Sequence, residues 1–126
     1  MDFGTHNNIE VRAGTSATSY LTDLWGPYSF DFEEQIPSGD TLSAITVKAY
    51  SGKVKPTSDL SAATEITTEV IDPAFTPIVS GSYGVRVKFQ YPTVATYKNT
   101  KATLVFFITT AALAKKSFYF HSLVIK

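Results

Sequence analysis

The sequence predicts an all-β fold, an antiparallel sandwich of about seven strands preceded by an extended arm. Composition is one reason: 17 Thr and 17 aromatic residues (1 Trp, 7 Tyr, 9 Phe) among 126 suit pleated, half-buried surfaces. Spacing is a second, because short runs of alternating apolar and polar residues recur between turns rich in Pro, Gly and Asp. The third is that no segment sustains a helical apolar period with caps. One core suffices at this length, and 44% hydrophobic against 17% charged residues exclude a disordered chain.

Residues 1–26 read as an arm or extension and residues 27–126 as the sandwich domain. Over Met1 to Ser19 the large apolar residues are chiefly Phe3, Ile9 and Val11, too few to build a core. Ile9-Glu10-Val11-Arg12 nevertheless alternates like a short strand, suited to adding onto a neighbouring subunit's sheet edge, with a frayed terminus as the equal alternative. Tyr28, Phe30 and Phe32 then alternate with Ser29, Asp31 and Glu33, a strand with one wet face. Pro37-Ser38-Gly39-Asp40 supplies a turn. In the strand Thr41 to Tyr50, Ile45, Val47 and Ala49 share a face. Leu42 and Ala44 have the opposite parity, which predicts a bulge near Ala44. Ser51-Gly52-Lys53 turns the chain into a loop, with room for one helical turn over Ser58 to Thr64.

Thr64 to Ile71 alternates again, Ile66 and Val70 opposing Glu65, Thr67 and Glu69, and reads as a strand. Asp72-Pro73 and Thr76-Pro77 break any ladder, so a strand over Phe75 to Val79 must be short or at an edge. Tyr83 to Tyr91 is the cleanest strand, with Tyr83, Val85, Val87, Phe89 and Tyr91 on one face. Ala102 to Thr110 is apolar on both faces, as a central strand is. Its Leu104 to Ile108 run needs cover, and Lys98, Lys101, Lys115 and Lys116 flank it as gatekeepers. After a second helical turn over Ala111 to Lys116, Ser117 to Ile125 closes the chain. Phe118, Phe120 and Val124 there oppose Tyr119, His121, Leu123 and Ile125.

Eleven basic and eleven acidic residues cancel, so no global field recruits nucleic acid or an anionic membrane. The halves differ, however: residues 1–63 carry 4 basic and 8 acidic groups, and residues 64–126 carry 7 and 3. Without Cys there is neither a disulfide nor a thiolate site. The N-terminus lacks the pattern of a secretory leader, and the apolar run Thr103 to Ala114 is too short to span a bilayer. His6 and His121 have no metal-site spacing around them, and no nucleophile motif occurs. Asp31, Glu33, Glu34 and Asp40 could bind a hard cation or serve glycoside hydrolysis. A solvated strand face kept charged against aggregation is the better explanation, because no Asp-rich loop with calcium-site spacing follows. Gly81-Ser82-Tyr83-Gly84 precedes a strand rather than a helix and reads as a turn, not a phosphate site. Trp25, Tyr28, Tyr50, Tyr91 and Tyr97 are candidates for an aromatic platform. The expectation is therefore a protein without catalytic residues, metal or cofactor. Its interface candidates are Ile9 and Val11 of the arm, Asp31 and Glu33 on one wet strand face, and Arg86 and Lys88 on another.

Two stretches resemble the small Ig-like structural proteins of tailed bacteriophage particles. Tyr28 to Val47 is similar to their opening strand, proline–glycine–aspartate turn and Thr-bearing second strand. Tyr83 to Tyr91, then Leu104 to Thr110 and Phe118 to Ile125, are similar to their closing strands. Ser80-Gly81-Ser82-Tyr83-Gly84 matches only part of the family's glycine-rich approach, and residues 1–26 match none of it. The resemblance implies an Ig-like sandwich and a non-enzymatic virion part: capsid cement, neck or tail component, or fibre adaptor. Its partners would be other virion proteins and further copies of itself, and its place the virion, after synthesis in the host cytoplasm. A carbohydrate- or protein-binding module is the alternative.

Overall fold

The computed structural model describes residues 9–11, 27–55 and 60–125. They form two sheets. One has the order β1-β7-β6-β3 and the other β2-β5-β4. In chain order the strands are β1 (Ile9–Val11), β2 (Tyr28–Asp31), β3 (Leu42–Ser51), β4 (Ile78–Ser80), β5 (Gly84–Val87), β6 (Thr100–Thr110) and β7 (Lys116–Ile125). All pairings are antiparallel except that of β1, which runs parallel to β7. The chain is all-β, as its composition predicts; among the described residues no helix is long and apolar enough to cross a membrane.

The sheets pack through the faces that alternation selects. Phe30 and Phe32 at β2 meet Phe106 of β6, with ring centroids 4.7 and 5.4 Å apart at tilted angles favourable to aromatic quadrupoles. Val85, Val87 and Phe89 from one side, and Leu104, Leu123 and Ile125 from the other, complete a core excluded from water. β6 is the central strand expected of an apolar run, flanked by β3 and β7. β4 lies at a sheet edge, where Pro77 costs no ladder bond. The parity break in β3 is real: its register against β6 shifts between Leu42 and Ala44.

Local structure departs from the sequence reading in four places. Thr64 to Ile71 is not a strand but contains a one-turn helix α1 (Thr67–Val70), bounded by isolated bridges Tyr50 to Glu65 and Ile71 to Phe89. Ile66 and Val70 stand four residues apart, a spacing that fits one helical turn as well as a strand, and both are buried. The segment also closes the free edge of β3, since Ala49 accepts from the Ile66 N–H and donates to the Thr67 hydroxyl. β2 stops at Asp31, whose carboxylate accepts the Glu33 N–H at 2.9 Å and turns the chain into a 3-10 turn, Glu33–Gln35. β5 ends at Val87, although Phe89 keeps its inward parity. Of the two helical turns expected, Leu60–Ala62 forms as a 3-10 turn, while 111–113 makes bends and Ala114 follows at φ 52°.

Ile9 and Val11 pair with Leu123 and Ile125 of their own chain's β7. The sheet edge that the arm's strand meets is therefore intramolecular here. The remaining arm residues, Trp25 among them, lie outside the described residues.

Candidate functional site

Alternation along β6 and β7 leaves one outward surface unlike an ordinary wet sheet face. β7 places Phe118 and Phe120 outward, opposite Phe107 and Val105 of β6. Phe118 lies 6.2 Å from Phe107 and 5.9 Å from Phe120, ring centroid to centroid, and is 54% exposed. The Lys48 ammonium of β3 sits 5.9 Å from the Phe107 centroid, a cation–π placement. Lys101 and Lys116 occupy outward register positions on the same sheet. Leu113, in the turn between β6 and β7, is 65% exposed. The structure thus puts an aromatic platform on residues other than those expected. Tyr50 is buried, and Tyr28, Tyr91 and Tyr97 pack against the core. The signal was present in the period-2 pattern, which sets Phe118, Phe120 and Val124 on one side of β7, but periodicity alone does not say which side meets water.

The second sheet gathers the predicted charges. β2 and β5 are neighbours with Ser29 opposite Arg86 and Asp31 opposite Gly84, so Asp31 and Arg86 share one outward face instead of two. Glu33 and Glu34 follow, both exposed. Lys88 lies past the end of β5, its ammonium 3.8 Å from the Asp72 carboxylate. Ile9 and Val11 sit at the opposite side, along β7.

Asp40 separates from the acidic group altogether. It is 2% exposed, and its carboxylate accepts the N–H groups of Thr41, Ala112 and Leu113 at 2.8, 2.7 and 3.2 Å. Burial raises its pKa, but these bonds and one from the Thr110 hydroxyl outweigh that and hold the carboxyl at about 2, below the usual 3.8. Asp40 therefore ties the loop before β3 to the turn between β6 and β7, as a structural anion. His121 is buried on the inward side of β7, its ring 5.7 Å from Phe30 and its Nδ1 2.8 Å from the Ser122 carbonyl.

Among the described residues no three His, Cys, Asp or Glu side chains gather where they could hold a metal ion. A cleft of about 130 Å³ beside Lys53, Lys101, Thr103 and Ser122 contains no carboxylate. Gly81 has φ 70° in the turn between β4 and β5, in keeping with the turn reading of that glycine pair. No family model, curated protein or solved structure matches the chain.

Proposed function

We propose that this chain is a non-enzymatic virion structural protein, an Ig-like sandwich that docks as one copy of a symmetric set on a capsid, neck or tail lattice. The Ig-like part of the reading is supported by strand order. β2-β5-β4 corresponds to the B-E-D sheet of that fold and β7-β6-β3 to its G-F-C sheet, with β1 moved to the G edge. The observation that carries the functional part is the exposed Phe118 on an aromatic sheet face, because an apolar surface rimmed by polar residues is a protein-contact surface more often than a catalytic one. The bacteriophage assignment rests on the sequence resemblance.

A carbohydrate-binding module would set exposed aromatics beside carboxylates that hydrogen-bond sugar hydroxyls. Here the platform lies on one sheet, and Asp31, with Glu33 just past its strand, on the other, which favours the assembly reading. Mass spectrometry of purified particles from cells producing the chain should recover it at lattice stoichiometry. Recovery only from the particle-free fraction would overturn the virion assignment, and a glycan-array signal abolished by Phe118→Ala would replace it with the binding module.

A further inference from the structure

The outward face of β3, β6 and β7 has an apolar centre and charges of one sign. Lys48, Lys101 and Lys116 hold outward register positions, and no Asp or Glu does so on those three strands. Two copies joined through this face by a two-fold axis would bring lysines against lysines, so an isologous contact is disfavoured. The occupant has to be acidic with an apolar spot of its own. The outward side of β2, β5 and β4 fits that description: Asp31 projects from β2, exposed Glu33 and Glu34 follow it, and the basic residues there are Arg86 and, past the end of β5, Lys88, whose ammonium lies 3.8 Å from the Asp72 carboxylate. Ile78 of β4, opposite Arg86 on the same face, is 45% exposed.

We infer that copies of this chain associate head to tail, the aromatic–lysine face of one seated on the acidic outer face of the next. The inference rests on the assembly reading above and names its partner, a second copy. Because the two sheets pack through their inner faces, the complementary surfaces point away from each other and every copy can engage two neighbours. Such heterologous contacts close into a ring or continue as a row, depending on the rotation between copies. Three strands of 10–11 residues, with rises of about 3.4 Å and spacings of about 4.8 Å, span roughly 500 Å², and less than that is open, because Tyr50, Thr103 and Val105 on this side are already buried, Thr103 through bonds to Gly52 and Val54. That is less than the ~800 Å² per partner of a standard stable complex, so each contact is weak alone and gains by repetition.

Sedimentation velocity on the full chain tests this. The wild type should associate with rising concentration, and less so as salt increases from about 0.05 to about 0.5 M, where the Debye length shrinks well below 10 Å. Phe118→Asp disables the aromatic face and Asp31→Lys/Glu33→Lys the acidic one. Both alter exposed positions, and circular dichroism should show both variants folded. Each alone should raise the dissociation constant about tenfold or more. Mixed in equal amounts they should form a dimer and stop there, since each retains one working face. A wild type that stays monomeric, an Asp31→Lys/Glu33→Lys variant that associates like wild type, or a mixture that does not pair would each overturn the inference. The salt series on the wild type decides the matter even if a variant misfolds. A monomeric chain recovered from purified particles would sink head-to-tail association and spare the virion reading. A self-associating chain absent from particles would do the reverse.

Discussion

Truncating Phe106 tests the core and the strand register together. Its side chain is fully buried at the centre of β6, against Phe30 and Phe32 across the sheet interface. Removing the ring by Phe106→Ala gives up about 150 Å² of apolar contact, about 4 kcal/mol at ~25 cal/mol per Å². The cavity left between two sheets held by long ladders cannot collapse fully, which keeps the cost within the ~3–5 kcal/mol of such truncations. For a chain of this size that is a fall in Tm of about 10–20 °C. Phe107, the next residue, points outward and is half-buried beneath Lys48 and beside Phe118. Phe107→Ala should therefore cost only about 1–2 kcal/mol. Urea denaturation of both variants reads the difference, with the slope against urea unchanged. A one-residue slip of β6 would exchange the two values. A Phe106→Ala loss below about 1 kcal/mol, or a larger loss for Phe107→Ala, would refute this placement of the core.

Three further outcomes follow from particular contacts. Asp40→Asn should lower the denaturation midpoint near neutral pH, because the amide cannot accept all the N–H groups that now converge on the carboxylate. With its folded pKa below the unfolded one, Asp40 contributes fully above pH 3.8 and loses that contribution as pH falls through about 2. Acid titration of the variant should show a shallower loss across that window, and an identical acid profile would contradict the anchoring role. Gly84→Ala would place a Cβ 2.5 Å from the Ser80 carbonyl oxygen, so the turn between β4 and β5 must shift. The expected cost is about 1–3 kcal/mol by thermal denaturation, and no change would show that the turn is freely adjustable. Deleting residues 1–19 removes β1 and bares the edge of β7. The fold should survive with nearly the same Tm, while light scattering reports more association through the bared edge; unchanged scattering would mean that β1 does not protect it.

The strand content and the inward residues of β2, β3, β6 and β7 were legible because side-chain alternation is a local property of the backbone. Phe30, Val47, Leu104 and Leu123 needed no knowledge of their partners to be placed on an apolar face. The bulge near Ala44 and the edge position of β4 were legible for the same reason, from a parity break and from two prolines. What stayed hidden was whatever depends on which elements become neighbours. Ile66 and Val70 satisfy helical and strand spacing alike, and only the open edge of β3 selects the helical turn. Asp40 reads as one more surface acid until the turn between β6 and β7 arrives to donate its N–H groups. Asp31 and Arg86 lie 55 positions apart in the chain, and only the pairing of β2 with β5 makes them one surface. Alternation defines two faces of each strand. The choice of the face carrying Phe118 for exposure belongs to the packing of the sheets, which buries the side that fits Phe30 and Phe32 and leaves the other outward.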